Sequence, residues 1–289
     1  MKKLLLILLS LTAVNVAQAK KHTAPAAAKR PLVLWLHGCL QSPEDFIAMS
    51  KITELTQEEN PVILAPEQSI FANPVKCWNW FLPSLQDRKD FMASIVGDID
   101  KLVKSGEVDE NKIYVGGFSA GAVLATHFAL CYPEVFRGAL LHSGAPFKFV
   151  QNFFGLGDDE DLVRAGYECA DHDKPAKLNS VTIFSGTSDI ISSPSDNKLV
   201  LKQMLGFYDL LDDQTLNDSA VDSVTISTTD RVQDKITDYV MKTGQHVRFV
   251  AIKGMRHQWS GGASGMIATS PDTLSAVEAF LQWTENFTN

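Results

Sequence analysis

The sequence lacks an apolar run of the length that a membrane-spanning helix needs. Its apolar start, residues 4–9, is far shorter than the roughly 20 residues that cross a bilayer. Lys2 and Lys3 precede this run and the small-residue triplet 17–19 (Ala-Gln-Ala) follows it, which is the order of a cleaved signal peptide. An uncleaved membrane anchor is the alternative. We therefore predict a signal peptide at residues 1–19, no stable membrane insertion, and a secreted or periplasmic protein.

Clusters of basic residues are also absent. The 26 Lys and Arg residues are scattered and are outnumbered by 34 Asp and Glu residues, which gives a formal net charge of -8. Nucleic-acid binding needs concentrated positive charge, so we expect no nucleic-acid partner. Residues 20–30 are alanine-rich and basic, which predicts a flexible lead-in. No change in composition divides residues 31–289, so they are predicted to form a single domain.

Cysteine is scarce, and its spacing argues against a structural metal. The chain has four cysteines, and no two of them have the close C-x-x-C spacing of a zinc site. In an exported protein an even number of cysteines predicts one or two disulfides, and four cysteines allow three pairings. We expect neither a metal nor another cofactor. The cysteines are Cys39, Cys77, Cys131 and Cys169.

Short apolar runs alternate along the chain with segments of helical periodicity. Alternating strands and helices predict an α/β fold, in which a mostly parallel central sheet carries helices on both faces. The predicted strands are 32–36, 62–65, 113–115, 140–141, 181–184 and 247–252. The predicted helices are 88–104, 122–130 and 271–283.

The clearest chemical motif lies at residues 117–121 (GFSAG), which match the G-x-S-x-G nucleophile elbow. The pattern alone is short and recurs by chance. Here it follows the predicted strand 113–115 and opens the alanine-rich helix 122–130, which is the context that the α/β-hydrolase fold provides. Ser119 is therefore the predicted nucleophile. The N-terminus of the helix places the backbone N–H of Ala120 where it can stabilise an oxyanion.

A serine nucleophile of this kind needs a histidine base later in the chain. His257 is the best candidate, because it follows the predicted strand 247–252 by a short glycine-containing loop. His246 precedes that strand and His172 lies among acidic residues, so both are expected to face solvent.

The acid that orients the base should follow a strand between the serine and the histidine. Asp189 follows the predicted strand 181–184 and is the first candidate, and Asp196 is the alternative. The second oxyanion donor in this fold usually comes from the loop after an early strand. The backbone N–H of Cys39, just after strand 32–36, is the expected donor.

Six motifs in the chain resemble those of the polyhydroxybutyrate depolymerase-like esterases, a group that also includes feruloyl and acetylxylan esterases. They occur in the same order and span nearly the whole of the predicted mature chain. The motifs are LHGCLQSPEDF from Leu36, CWNWF from Cys77, IYVGGFSAGA from Ile113, YPEVF from Tyr132, LHSGAP from Leu141 and GMRHQWSGG from Gly254.

This resemblance implies a pairing of the cysteines and a set of binding residues. In such enzymes the HGC cysteine tends to pair with the CWNW cysteine, which implies a Cys39–Cys77 disulfide and leaves Cys131 and Cys169 as a possible second pair. The family's tryptophans line the substrate cleft, although core packing is an equal alternative for Trp80. The substrate-binding candidates are Trp78, Trp80 and Trp259.

The sequence also departs from the family pattern. Ser185-Gly186 stands where the family often has His-Gly, and Arg256-His257 stands where it often has Gly-His. An arginine beside the base either favours an anionic substrate or faces solvent. We find no separate polymer-binding module, so a soluble ester or oligoester is at least as good a substrate as solid polyester. The aromatic segment 147–156 is either a lid over the cleft or a packed connecting helix.

Taken together, these residues predict a secreted serine carboxylic-ester hydrolase, similar to polyhydroxybutyrate depolymerases, that forms an acyl-enzyme with a small ester or oligoester. A feruloyl or acetylxylan esterase is the first alternative, and a peptidase or lipase on the same fold is another. A non-catalytic secreted binding protein on the same scaffold belongs to a different class, since a fold does not fix a function. The sequence leaves the oligomeric state open.

Overall fold

The computed structural model describes residues 29–82, 88–149, 158–229 and 234–285. The predicted signal peptide at 1–19 and most of the lead-in at 20–30 lie outside these ranges. Within the described ranges no helix combines the length and apolar character that crossing a membrane requires.

An eight-stranded sheet forms the centre of the fold. Its spatial order is β2-β1-β3-β4-β5-β8-β7-β6. The first six of these strands run parallel, and β7 runs antiparallel to both of its neighbours. The prediction of a mostly parallel sheet is confirmed. The strands are β1 (Arg30–Leu36), β2 (Val62–Leu64), β3 (Val108–Phe118), β4 (Gly138–His142), β5 (Ser180–Gly186), β6 (Val221–Thr228), β7 (Lys235–Met241) and β8 (His246–Ile252).

Helices cover both faces of this sheet. In the described part of the chain they are α1 (Pro43–Ser50), α2 (Ile52–Leu55), α3 (Asp90–Lys104), α4 (Ala120–Cys131), α5 (Asp159–Cys169), α6 (Pro194–Asp213) and α7 (Ala276–Glu285). The helix predicted at 271–283 begins later than expected. Thr269–Ser270 form a short strand, β10, that pairs with β9 (Trp259–Ser260). A turn follows this strand at residues 271–273, where the helix was expected to start.

The side chains of β1 alternate between two hydrophobic clusters, one on each face of the sheet. Leu32, Leu34 and Leu36 belong to the cluster that packs under α3, α4 and α6, whereas Val33 and Trp35 belong to the cluster under α1 and α7. Successive side chains of a strand point to opposite faces, so a strand covered on both faces is apolar throughout. Each fully buried side chain of this size stabilises the fold by about 1.5–3 kcal/mol.

Two disulfides brace the fold, Cys39–Cys77 and Cys131–Cys169. The first ties the loop after β1 to the loop after β2, and the second joins the end of α4 to the end of α5. Both are the pairs that the family resemblance implies. Each closes a separation of 38 residues.

The candidate residues lie at one edge of the sheet, because each follows the end of a parallel strand. Cys39 follows β1, Ser119 follows β3, Asp189 follows β5 and His257 follows β8. Because parallel strands all end at the same edge, residues far apart in sequence meet there.

Candidate active site

The turn from β3 into α4 holds Ser119 in a strained conformation. Its backbone has φ 56° and ψ -124°, a region that non-glycine residues rarely occupy. Two glycines make the turn possible. A Cβ on Gly121 would lie 2.0 Å from the carbonyl oxygen of Leu36, and a Cβ on Gly117 would lie 2.5 Å from the Gly121 carbonyl group. The Ser119 N–H donates to the carbonyl oxygen of His142 at 3.0 Å.

His257 contacts both Ser119 and Asp189. Its Nε2 atom lies 2.9 Å from Ser119 Oγ, and its Nδ1 atom lies 2.8 Å from Asp189 Oδ2. The imidazole stacks on the ring of Phe118, with centroids 5.0 Å apart and planes inclined by 29°. The three side chains therefore form one continuous hydrogen-bonded row.

Asp189 is buried and hydrogen-bonded through both carboxylate oxygens. Its second oxygen, Oδ1, accepts from the backbone N–H groups of Ile191 and Ser192 at 2.9 Å each. Burial by itself raises the pKa of this carboxyl, but its hydrogen bond and charge interaction with His257, together with the two N–H donors, lower that pKa below its usual value. Asp189 is thus a carboxylate at neutral pH. The neutral imidazole must then donate from Nδ1, which leaves Nε2 free to accept the Ser119 hydroxyl proton.

The alternative acid, Asp196, and the two alternative histidines, His172 and His246, lie elsewhere. Asp196 caps α6, since its Oδ2 accepts from the backbone N–H of Ser193 at 2.8 Å and from that serine's hydroxyl. His172 is exposed and packs against Tyr167. His246 was expected to face solvent and is instead buried at the start of β8, because its strand is covered on both faces.

The loop after β1 is held by polar contacts around His37. The His37 Nδ1 atom lies 2.7 Å from the Gly38 carbonyl oxygen, and Nε2 accepts from the Gln68 N–H at 3.1 Å. Burial lowers the pKa of His37, which keeps the ring neutral for this pair of contacts. In the described part of the chain, neither the Cys39 nor the Ala120 backbone N–H has a hydrogen-bond partner. Both groups therefore remain available to a ligand oxygen.

Two of the three predicted substrate-binding tryptophans lie in the core, which corrects the prediction. Trp78 is buried, and its Nε1–H donates to the His37 carbonyl oxygen at 2.8 Å. Trp259 is buried edge-on against Phe46. In these positions both indoles support the loops of the site from beneath. Trp80 is half-buried, so it stays a binding candidate.

The aromatic segment at 147–156 is described only in its first three residues. Phe147 is fully buried, and its N–H donates to Gln203 Oε1 at 2.8 Å. The expected lid lies mainly in residues outside the described ranges. Phe149 is near the half-buried Trp80, with ring centroids 6.5 Å apart.

Exposed apolar side chains also lie on loops that leave the same edge of the sheet as Ser119, His257 and Asp189. We call five of them the apolar rim, and they lie on the loops that follow β1, β2 and β5. Ile190 and Phe71 are almost fully exposed, at 94% and 95%. Sequence analysis missed this feature, although two consecutive isoleucines directly after the acid were a visible signal. The apolar rim consists of Leu40, Phe71, Phe81, Ile190 and Ile191.

The sheet order, the elbow and the serine–histidine–aspartate row define the α/β-hydrolase fold, and solved structures agree. An acetyl xylan esterase from Aspergillus awamori matches with a TM-score of 0.67 at 16% identity, covering 90% of both chains. The esterase PE8 matches with a TM-score of 0.53 at 15% identity, covering 95% of this chain and 100% of that one. At these identities the likeness shows the fold. The predicted fold is confirmed.

Residues 19–169, just over half of the chain, match the family model "Esterase PHB depolymerase". The chain belongs to this family, as the motifs predicted. Poly(3-hydroxyalkanoate) depolymerase C of Paucimonas lemoignei is 30% identical over 70% of this chain and 50% of its own length. Feruloyl esterase B of Thermothelomyces thermophilus is 22% identical over 40% of each chain. The chain thus spans about half or less of the length of these relatives.

Proposed function

We propose that this protein is a secreted serine carboxylic-ester hydrolase in which Ser119, His257 and Asp189 are the catalytic residues and residues 31–289 form the catalytic domain. The observation that carries the proposal is the row of contacts from Ser119 Oγ through the His257 ring to Asp189, at 2.9 and 2.8 Å. These distances are those of a nucleophile, its general base and the group that orients the base.

The first half of the reaction forms an acyl-enzyme. His257 Nε2 takes the hydroxyl proton as Ser119 Oγ attacks the ester carbonyl carbon. The carbonyl oxygen becomes an oxyanion and accepts hydrogen bonds from the backbone N–H groups of Cys39 and Ala120. One such donor typically contributes about 2.7–4 kcal/mol to transition-state stabilisation. The intermediate collapses as protonated His257 gives its proton to the departing alcohol.

The second half releases the acid. Water attacks the acyl carbon, His257 accepts the proton of that water, and Ser119 leaves as its hydroxyl is restored. Asp189 stabilises the imidazolium in both halves and holds the ring in the required tautomer. The cycle uses only side-chain and backbone groups of this chain and needs no cofactor.

The apolar rim supports an aliphatic ester as substrate. Exposed apolar side chains on the loops at the edge that carries Ser119 favour an acyl group or an oligoester chain that buries apolar area on binding. The relatives named poly(3-hydroxyalkanoate) depolymerase C and poly(3-hydroxybutyrate) depolymerase support the same class. We therefore propose short-chain hydroxyalkanoate oligoesters, and treat acetylated xylan and feruloyl esters as the competing substrates.

Export is supported by the two disulfides together with the predicted signal peptide. Both cysteine pairs are oxidised in the structure, and disulfides persist in the periplasm and outside the cell. The site of action is thus proposed to be periplasmic or extracellular.

The first experiment compares wild-type protein with the Ser119→Ala variant. We expect wild type to hydrolyse p-nitrophenyl acetate and butyrate and a hydroxybutyrate oligomer, and to be labelled by a serine-reactive phosphonate. The Ser119→Ala variant should lose both properties, whereas Ser195→Ala, which alters an exposed serine, should keep both. Wild-type protein that is oxidised and folded yet neither turns over nor is labelled would favour the non-catalytic binding protein.

The substrate class is tested at the apolar rim. Ile190→Ser should raise KM for the butyrate ester and the oligomer several-fold and leave KM for the acetate ester unchanged. Ile226→Ser on β6, which changes another exposed isoleucine at the outer strand of the sheet, is the matched control. Faster turnover of acetylated xylan or methyl ferulate than of the oligomer would replace the aliphatic assignment with the corresponding alternative.

A further inference from the structure

His142 is the last residue of β4, which lies between the strands that lead to Ser119 and Asp189. The side chain is completely buried. Its carbonyl oxygen accepts the Ser119 N–H at 3.0 Å, so its main chain fixes the start of the nucleophile turn. In the sequence, His142 is a histidine at the end of the predicted strand 140–141, a position that indicates only a structural hydrogen bond.

The ring of His142 contacts aromatic residues that neighbour both catalytic side chains. It stacks on Trp259 with centroids 4.7 Å apart, and Trp259 lies two residues after the base. It also meets the edge of Phe118, the residue before the nucleophile, at 5.6 Å. Phe118 in turn stacks on His257. The His142 ring thus contacts Phe118, which stacks on His257, and Trp259, which lies in the loop after His257.

The polar atoms of the ring make a directional connection to the loop that carries the base. His142 Nε2 accepts the Ser260 N–H at 3.1 Å, and Nδ1 lies 3.2 Å from the Ser143 hydroxyl. An accepting Nε2 requires the neutral tautomer with its proton on Nδ1. Burial lowers the pKa of His142 to about 3, so the ring keeps this acceptor over the working pH range.

We infer that His142 is a positioning residue that sets the distance between the nucleophile and its base. Its carbonyl oxygen holds the backbone of Ser119, and its Nε2 atom holds the loop of His257 through Ser260. Both anchors lie on one rigid residue of a central strand, so the two reacting groups share one reference point. Catalytic groups must be held to within about 0.5 Å of the productive geometry, which is the precision such an anchor supplies. The inference rests on the proposed function of Ser119 and His257.

Plain core packing is the competing account, and two substitutions separate it from positioning. His142→Phe keeps an aromatic ring between Trp259 and Phe184 but removes the Nε2 acceptor. His142→Gln removes the ring but can present a side-chain oxygen where Nε2 lies. Packing alone predicts that the Phe variant is the better enzyme, and positioning predicts that the Gln variant is.

The experiment measures kcat and KM for p-nitrophenyl butyrate, together with the melting temperature. For His142→Phe we expect kcat to fall tenfold to a hundredfold with KM within about twofold, because ground-state binding does not need the base in place. His142→Gln should recover most of kcat even if its melting temperature is lower. His127→Phe is the matched control, since His127 is also fully buried but packs on Phe147, two turns along α4. Wild-type kcat in His142→Phe, or an equal loss of kcat in both variants, would overturn the inference.

A second readout does not depend on turnover. The His257 Nδ1–H proton in its hydrogen bond to Asp189 should give a resolved low-field proton resonance in wild type and in His142→Gln, and a broadened or missing one in His142→Phe. An unchanged resonance in His142→Phe contradicts positioning even if the tested esters are poor substrates. Failure of the proposed function shows itself separately, as wild-type protein that neither turns over nor labels at Ser119.

Discussion

The carboxyl edge of the parallel strands differs from the antiparallel pair β6–β7 in its backbone conformations and its buried polar groups. At the carboxyl edge of the parallel strands, Ser119 and Ser143 both have positive φ, at 56° and 53°, and buried histidines hold the turns. The antiparallel pair β6–β7 has one register shift, between Val221 and Ser223, and its outer strand is largely exposed. Between β7 and β8 the polar contacts are ordinary, as in the bidentate ion pair of Asp238 with Arg248 at 2.8 and 2.9 Å. Strained serine turns and buried histidines thus lie where the chemistry is proposed.

The largest expected effect is a loss of kcat on changing Asp189, at the edge of the sheet where the chemistry is proposed. Asp189→Asn should lower kcat by about 10⁴-fold, because an amide favours the wrong imidazole tautomer and cannot stabilise the imidazolium. Ester hydrolysis under saturating substrate measures it.

The matched control is Asp196→Asn, which alters the N-terminal cap of α6. It should leave kcat unchanged and lower the free energy of unfolding by at most about 1 kcal/mol. Equal losses of kcat in the two variants would contradict the assignment of the acid.

The two disulfides provide an internal comparison of equal loop length. Each closes a 38-residue separation, so the chain-entropy model assigns each a stabilisation of about 4 kcal/mol. Replacing either pair by serines should therefore lower the free energy of unfolding by a similar amount. Only the Cys39–Cys77 pair includes a proposed oxyanion donor. When kcat is measured at a temperature at which both variants are folded, only the loss of this pair should lower it. Equal kcat in the two double variants would separate the oxyanion loop from this disulfide.

Adding a methyl group at two glycines should change the free energy of unfolding in opposite directions, depending on whether the glycine lies in the serine turn or on an open helix face. Gly121→Ala should destabilise the protein by about 3 kcal/mol or more, because its Cβ would lie 2.0 Å from the backbone oxygen of Leu36 and backbone cannot yield as a side chain can. Gly97→Ala in α3, where no heavy atom lies within 4 Å of the added Cβ, should stabilise by about 0.5–1 kcal/mol. Urea unfolding measures both, and a stable Gly121→Ala protein would show that the elbow is not so tightly packed.

The smallest effect is expected at the antiparallel edge. Arg248→Met should lower the free energy of unfolding by about 1 kcal/mol or less, because the ion pair with Asp238 is partly exposed to solvent. Ester hydrolysis should be unchanged, since β7 and its contacts are away from the row of Ser119, His257 and Asp189. A loss of kcat in this variant would show that the two regions are coupled.

A last test follows from the lowered pKa of Asp189. A carboxyl with a depressed folded-state pKa stabilises the fold above its unfolded pKa of about 3.9, and this stabilisation is lost as pH falls through the folded value. The difference in unfolding free energy between wild type and Asp189→Asn should thus be full near neutral pH and shrink below about pH 4. Denaturant unfolding from pH 3 to 7 checks this, and a difference that grows toward acid would contradict the lowered pKa.

Much of the site was predictable because its residues occupy the same local position. Ser119, Asp189 and His257 each follow an apolar strand, and the strand pattern alone places strand ends together in a parallel sheet. The fold and the family were predicted correctly on this basis. The strands β6 and β7 were not predicted, because the prediction relied on continuous apolar runs, whereas these strands mix Val, Ile, Thr and Tyr with polar residues.

Burial was the feature that local patterns could not supply. Trp78 and Trp259 lie in motifs associated with the cleft, yet each indole turns inward against neighbours contributed by distant segments. His246 is buried for the same reason. Whether a side chain at a strand end faces solvent or core depends on which helices cover that strand, and this is a property of the assembled sheet.

The sequence by itself determined the class of fold, the serine turn and the order of candidate residues, because strand periodicity and glycine spacing are local and survive without tertiary contacts. Only the tertiary structure decided which acid reaches His257, which tryptophans are buried, and that His142 contacts both Ser119 and the loop that carries His257. Those contacts join residues up to 138 positions apart, and their distances are fixed by the packing of the sheet and its two layers of helices.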